Sequence, residues 1–309
     1  MFGISGLFYV LAVQNFHSLA VDVYFQQLLS WLNQRSPIHF ETIQVLDKTT
    51  YGWFAYVHQK DCSSKEEVQR FYQRLGGLLA LLYALEATDM HSENLIASGE
   101  QPIIIDLESL FQPRTHRENH PLEYSVIRTH LLPYRVLGKK TGEGIDLSGL
   151  NGEGGQKIPD QIPIWMDEGK DTMHLVYKQA FLTSDKNRPI LHGNPSSVLD
   201  YVDDLISGFN TIYNVLFEHR EELLSEYGPL FPFTHVPVRV VFRSTRTYGL
   251  LLRERSHPEL LQSESNWKQF LEEKLSIAVQ HQPWLQRILP FEVDSLQYGD
   301  IPYFLRERA

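Results

Sequence analysis

Cysteine is nearly missing from this chain: Cys62 stands alone, which excludes an internal disulfide framework and a multi-cysteine zinc site. Basic residues are outnumbered, 28 Lys and Arg against 38 Asp and Glu, and no basic run offsets the net charge of -10. That balance argues against broad nucleic-acid binding. A bilayer-spanning apolar run is also lacking. The segment Ile4 to Val13 is too short to span and has no positive residues ahead of it, as a secretory signal would. It reads as a buried strand or a translated remnant. With no internal repeat and no low-complexity tract, the 309 residues suit a cytoplasmic globular chain without stable membrane insertion. They suffice for one large domain or two lobes.

Against these absences stands a dense polar cluster. Thr88-Asp89-Met90-His91-Ser92-Glu93-Asn94 is followed by Pro102-Ile103-Ile104-Ile105-Asp106-Leu107-Glu108. Phosphoryl transfer needs a carboxylate beside the attacking hydroxyl, with an amide and a second carboxylate to hold the magnesium on the nucleotide's phosphates. Asp89 and Asn94 have the Asp-to-Asn spacing of a kinase catalytic loop. The run Ile103-Ile104-Ile105 predicts a buried strand, and the turn Ser98-Gly99-Glu100 makes it half of a hairpin. Asp106 ends that strand, where an unpaired carboxylate would carry a heavy desolvation cost that a cation relieves. A lone Asp there would more often merely turn the chain; its companions favour a site.

The flanking pattern is helix-rich. Ser64-Lys65-Glu66-Glu67 reads as a capping box, with Ser64 capping a free amide and Glu67 reaching back to the N–H of Ser64. Val68, Phe71, Tyr72, Leu75, Leu78, Leu79, Leu82 and Leu85 then recur at helical steps, interrupted by Gly76-Gly77, which weaken the helix or admit a close neighbour. A second stripe, from Val198 through Phe217, starts after Asn194-Pro195-Ser196-Ser197, and its aromatics are expected in the core. A third helical pattern begins at Trp267. The glycine-rich stretch from Gly142 to Gly155 lacks the Gly-Lys-Ser/Thr ending of a phosphate loop and reads as a surface loop. Asp146, Asp167 and Asp171 are polar loop residues on this reading, and His174 and His192 have no metal-ligand spacing. Arg239 and Arg243 are expected on one face of a strand spanning Val238 to Arg243, where their guanidinium forks would suit a phosphate. The bland alternative is a solvated edge strand.

Residues 88 to 97 and 105 to 111, with Asp146-Leu147-Ser148-Gly149-Leu150, Asn187-Arg188-Pro189, the run Arg239 to Leu251 and Gly299-Asp300-Ile301-Pro302, resemble segments of class II lanthipeptide synthetases, the LanM-type enzymes, in the same order. The resemblance covers 18–309, the dehydratase region, and leaves 1–17 as a divergent N-terminal segment. It implies an α+β fold with a protein-kinase-like (lipid-kinase-like) core, helix-rich, with an incomplete small lobe. It also implies phosphorylation of Ser and Thr in a leader-bearing precursor peptide with ATP and Mg2+, followed by phosphate elimination to dehydroamino acids. By position, Asp89 is the implied base, and His91 and Glu108 join the phosphorylation site. Asn94 and Asp106 are the implied cofactor and magnesium ligands, and Arg239 and Thr245 the elimination residues. The family's cyclase half carries zinc; no zinc and no lanthionine ring formation are expected of this chain alone.

One departure stands out. Where the family places a phosphate-holding lysine, this chain has Gln14-Asn15-Phe16-His17, and no lysine precedes Lys48. The sequence therefore reads as a truncated or degenerate dehydratase region whose remainder a separately encoded partner would supply. Two other classes stay open. A small-molecule phosphotransferase of the aminoglycoside-kinase type uses a similar Asp-containing loop, and a noncatalytic remnant would bind a leader peptide without turnover.

Overall fold

The computed structural model describes residues 11–14, 18–113, 121–137, 144–150, 152, 154–159, 161–182, 186–280 and 282–306. Its N-terminal part is a small three-stranded sheet beside a helix. β1 (Leu11–Gln14) and β2 (Val45–Asp47) flank β3 (Gly52–Ala55) antiparallel, with α1 (Ala20–Asn33) between them in sequence. The strand expected within the N-terminal apolar segment is thus present at its end, and Ile4 to Val10 lie outside the described residues. Asp47 ties helix to sheet, because its carboxylate accepts from the N–H of Leu19 at 2.9 Å.

α2 (Lys65–Ala84) is the central element. Ser64 caps it by accepting from the Glu67 N–H at 3.3 Å, while the Glu67 carboxylate accepts from Ser63 at 2.6 Å. The reciprocal bond therefore falls one residue before the cap, where the extended backbone of Ser64 points the Ser63 N–H at the helix. The hairpin β4 (Leu95–Ser98) and β5 (Gln101–Ile104) follows, pairing Leu95 with Ile104. Arg74 of α2 is buried and fixes it: the guanidinium donates to the carbonyl of His39 at 2.7 Å, the carbonyl of Glu100 at 3.2 Å and the Glu100 carboxylate at 3.0 Å.

Three further hairpins and one antiparallel pair of strands distant in sequence complete the strand content described. They are β6 (Arg135–Leu137) with β7 (Gly144–Asp146), β8 (Ile162–Met166) with β9 (His174–Lys178), and β10 (Ile190–Leu191) with β11 (Asn194–Pro195). The last joins β12 (Val238–Val240) to β13 (Phe304–Arg306). The glycine-rich stretch is thus partly strand, and Thr141 to Glu143 lie outside the described residues.

α3 (Val202–Glu218) packs along α2. Gly76 and Gly208 permit the approach: a Cβ on Gly208 would stand 1.8 Å from the carbonyl oxygen of Gln73, and one on Gly76 1.9 Å from that of Leu205. Gly208→Ala should therefore push the helices apart and destabilise the chain by about 1–3 kcal/mol, read as a lowered thermal midpoint. An unchanged midpoint would mean that the helices do not approach as described. Leu205, Ile212 and Val215 are buried, but Val202, Ile206, Tyr213 and Phe217 are exposed. The expectation that the aromatics of this stripe are core holds for Tyr201, which is buried, and Phe209, which packs against the core, and is corrected for Tyr213 and Phe217: α3 carries two apolar faces, and periodicity cannot say which is covered.

Arg220–Leu223 forms a short α4. Beyond β12, α5 (Thr245–Glu254), α6 (Pro258–Leu261), α7 (Glu264–Val279) and α8 (Leu289–Tyr298) build a second core. Its buried residues are Tyr248, Leu251, Trp267, Leu271, Leu275, Leu289, Val293 and Leu296. The first core gathers α1, α2, α3 and the β4–β5 hairpin. The candidate site lies where the loops after α2 and β5 meet β12.

Candidate active site

The loop after α2 is pinned on several sides by backbone bonds. The N–H of Thr88 donates to Ser109, that of Met90 to Thr129, that of Ser92 to Leu147, and that of Gly149 back to Met90. The Asp146–Leu150 segment is thus the support on which 90–92 rests, and His91 bridges to Ser148. Close contact requires Gly149, where a Cβ would meet the carbonyl oxygen of Met90 at 2.6 Å.

Asn94 joins the two halves of the cluster. Its amide donates to the carbonyl of Asp89 at 2.9 Å, and its own backbone carbonyl accepts from Ile105 at 2.9 Å, next to Asp106. With the NH2 group committed, the side-chain oxygen remains the acceptor for a cation. Asp89 and Asp106 both adopt left-handed backbone, φ 62° and 63°. Such conformations cost energy in non-glycine residues, Asp and Asn bearing them best, and cluster at functional sites.

Around Asp89, His91 Nε2 lies 3.9 Å from a carboxylate oxygen, while His91 Nδ1 accepts from the Glu93 N–H at 3.3 Å. Neutral His91 consequently carries its proton on Nε2, directed towards Asp89. His130 sits behind this pair in left-handed backbone, stacked on Tyr134 with ring centroids 4.7 Å apart. Its Nδ1 is buried and finds no partner among the described residues. Burial holds its pKa below the ordinary imidazole value, opposed by the Asp89 charge, and burial likewise pushes the Tyr134 phenol up to about 12.

On the other side of Asn94, Asp106 and Glu108 line a cavity of about 30 Å3 with Ser18, Asp22, Arg239 and Tyr303. That volume holds about one water molecule, so a nucleotide enters only if the walls part. Asp89, His91 and Asn94 lie outside its lining. Arg239, on β12, forms an ion pair with Glu108 and lies over the Tyr303 ring at 5.0 Å. Gln112 staples the same strand: its side-chain amide donates to the carbonyl of Arg239, and its oxygen accepts from Val241 at 3.3 Å.

Asp22, His130, Gln112 and Tyr303 were not foreseen. Asp22 had a signal: it interrupts the stripe Leu19, Phe25, Leu28, Leu29 and Leu32, all buried, and is itself only 6% exposed. Burial pushes its carboxyl up from 3.8 to about 7, helped by the charge of Asp106 and opposed by hydrogen bonds from backbone N–H groups.

Arg243 departs from expectation. The strand ends at Val240, so the alternation that placed Arg239 and Arg243 on one face stops short of Arg243. Arg243 instead pairs with Glu292 on α8, at 2.7 and 3.1 Å, and Glu292 also accepts from the Tyr248 hydroxyl at 2.6 Å. It is an internal tie rather than half of a phosphate clamp. Thr245 opens α5 as an exposed residue and is not part of the cavity lining. Among the described residues, no three His, Cys, Asp or Glu side chains group as a metal set. Asn94 and Asp106 are oxygen-donor residues of the type magnesium takes alongside phosphates and water, and Asp106 alone of the two lines the cavity.

The chain belongs to a family described as a domain of unknown function, DUF4135, whose model matches residues 17–307. It is 30% identical over 311 residues, 93% of its own length, to the lacticin 481/lactococcin biosynthesis protein LcnDR2 of Lactococcus lactis subsp. lactis. It spans 32% of that relative's length. Both matches bear out the resemblance to LanM-type synthetases.

Proposed function

We propose that this chain is a dehydratase region in lanthipeptide biosynthesis, with a kinase-like α+β core that phosphorylates Ser and Thr of a precursor peptide and then eliminates the phosphate. Membership in the family and the lacticin 481-related relative support the pathway. One observation supports the two-step chemistry above others. Glu108, which the resemblance assigns to phosphorylation, and Arg239, which it assigns to elimination, are ion-paired in one cavity with Asp106. A plain phosphotransferase of the aminoglycoside-kinase type has no need of that arginine.

Asn94 and Asp106 would hold magnesium. When bound, magnesium–ATP supplies the phosphoryl group and neutralises the charge on its oxygens. Asp89, oriented by His91, accepts the proton of the substrate hydroxyl as its oxygen takes the phosphoryl group. In the second step the Cα proton goes to a base, the Cα–Cβ double bond forms and phosphate leaves with the Cβ–O electron pair. Arg239 exchanges Glu108 for the departing phosphate, a fit its planar fork makes bidentate.

Arg239→Lys keeps the charge towards Glu108 but loses the fork. The expected result, by mass spectrometry of a Ser/Thr precursor incubated with Mg2+ and ATP, is phosphopeptide accumulation with water loss slowed about a hundredfold. Water loss at the unaltered rate would remove Arg239 from the elimination step. Phosphate gained by a small molecule and never by peptide would overturn the peptide reading.

A further inference from the structure

We propose that Tyr303 is a positioning residue for Arg239, its ring holding the guanidinium in place while Arg239 releases Glu108 and takes the departing phosphate. The consequence rests on the functional reading, but the contact itself does not.

Strand register builds the contact. β12 turns Val238 and Val240 into the interior, and Arg239 points to the other side of the strand. Across the ladder Arg239 stands opposite Leu305, and Tyr303, immediately before β13, falls on the same side as Leu305 two residues away. Such diagonal neighbours lie within reach of long and aromatic side chains. The Arg239 guanidinium carbon accordingly sits over the Tyr303 ring, 5.0 Å from its centroid. The backbone beneath is fixed as well, since the Gln112 amide donates to the Arg239 carbonyl and its oxygen accepts from the Val241 N–H at 3.3 Å.

The proposed elimination asks Arg239 to change anions. While the ion pair with Glu108 lasts, that carboxylate orients the guanidinium. Once the pair parts, a long side chain with much rotamer freedom would swing away from the leaving group unless something else held it. A guanidinium offers two different surfaces. Its N–H edge bonds an anion, whether Glu108 or phosphate, and its flat face is attracted to an aromatic ring, so the Tyr303 contact persists through the exchange. Tyr303 belongs to neither core and is 42% exposed, so its ring can be removed without opening a buried cavity.

The test compares Tyr303→Phe, which keeps the ring, with Tyr303→Leu, which does not, in the full chain. With a Ser/Thr precursor, Mg2+ and ATP, mass spectrometry should show Tyr303→Leu slowing water loss relative to phosphorylation by about tenfold, so that phosphopeptide accumulates, and Tyr303→Phe restoring the parent ratio. The Nε–Hε resonance of Arg239 in isotope-labelled chain, identified by its loss in Arg239→Lys, should move in Tyr303→Leu and stay nearly in place in Tyr303→Phe, because the ring current goes with the ring. An unchanged ratio in Tyr303→Leu, whether both steps hold or both slow alike, overturns the role, and so does phosphopeptide accumulation in Tyr303→Phe. Should Tyr303→Leu fail to fold by circular dichroism, Tyr303→Met takes its place as the ring-free variant with the same outcomes expected. If the unaltered chain loses no water from the peptide, the functional reading fails, while the resonance still decides the contact: a signal that the ring-free variant leaves in place overturns it.

Discussion

Asp106→Asn is expected to remove peptide phosphorylation, and with it water loss, by at least about a hundredfold to a thousandfold while leaving the chain folded. Asparagine tolerates the left-handed backbone that Asp106 adopts, so the turn keeps its shape and only the charge disappears. The same change should stabilise the chain. Asp106 is one cause of the raised pKa of Asp22, and a carboxyl whose folded pKa is raised contributes stability that is full below its unfolded value and lost as pH rises through the folded one. Lowering the Asp22 pKa returns some of that loss above pH 3.8, most fully beyond about 7. Initial rates by mass spectrometry, with thermal midpoints at pH 5 and pH 8 in the absence of magnesium, check both parts. An inactive variant with a lower midpoint at pH 8 would show that Asp106 serves the fold. An active one would remove it from the site.

Glu292→Ala is expected to destabilise the chain by about 3–5 kcal/mol, the cost of leaving a buried ion partner uncompensated. Glu292 is 0% exposed and accepts from both the Arg243 guanidinium and the Tyr248 hydroxyl. Its loss strands Arg243 between β12 and α5 and leaves Tyr248 without its acceptor in the second core. The thermal midpoint should fall by roughly 5–15 °C. Elimination should also suffer more than phosphorylation, since this tie anchors the segment that runs from Arg239 to Thr245. The double variant Arg243→Met with Glu292→Leu should recover most of the stability, because an apolar pair replaces the buried charges without leaving one alone. A single variant within about 1 kcal/mol of the parent would mean that water or another group reaches Arg243.

Much of this architecture can be read from local signals. The cap of α2, the hairpin before Asp106 and the helix after Ser197 each rest on bonds or burial between near neighbours, and those follow from residue type and spacing. The Asp89 to Asn94 loop and Asp106 are legible for the same reason. Partnerships across long stretches of chain are not. Arg243 meets Glu292 through the fold of the second core, which no spacing encodes, and the strand ends at Val240 because its partner β13 pairs only Val238 to Val240. The second apolar face of α3 has the periodicity of a core face, and exposure is decided by what else packs there. Asp22 was hidden differently: an acidic residue inside a buried stripe is visible in sequence, but the carboxylates it shares a cavity with, Asp106 and Glu108, lie far along the chain. His130 needs the fold as well, since only there does it lie behind Asp89 and His91.

A crystal structure with magnesium and a non-hydrolysable ATP analogue tests the cluster most directly. Asn94 and Asp106 are predicted to hold the cation, with the nucleotide bound beside Asp89 and the Glu108–Arg239 pair parted. A nucleotide bound elsewhere on the chain, or a cation that touches neither Asn94 nor Asp106, would contradict the proposed site.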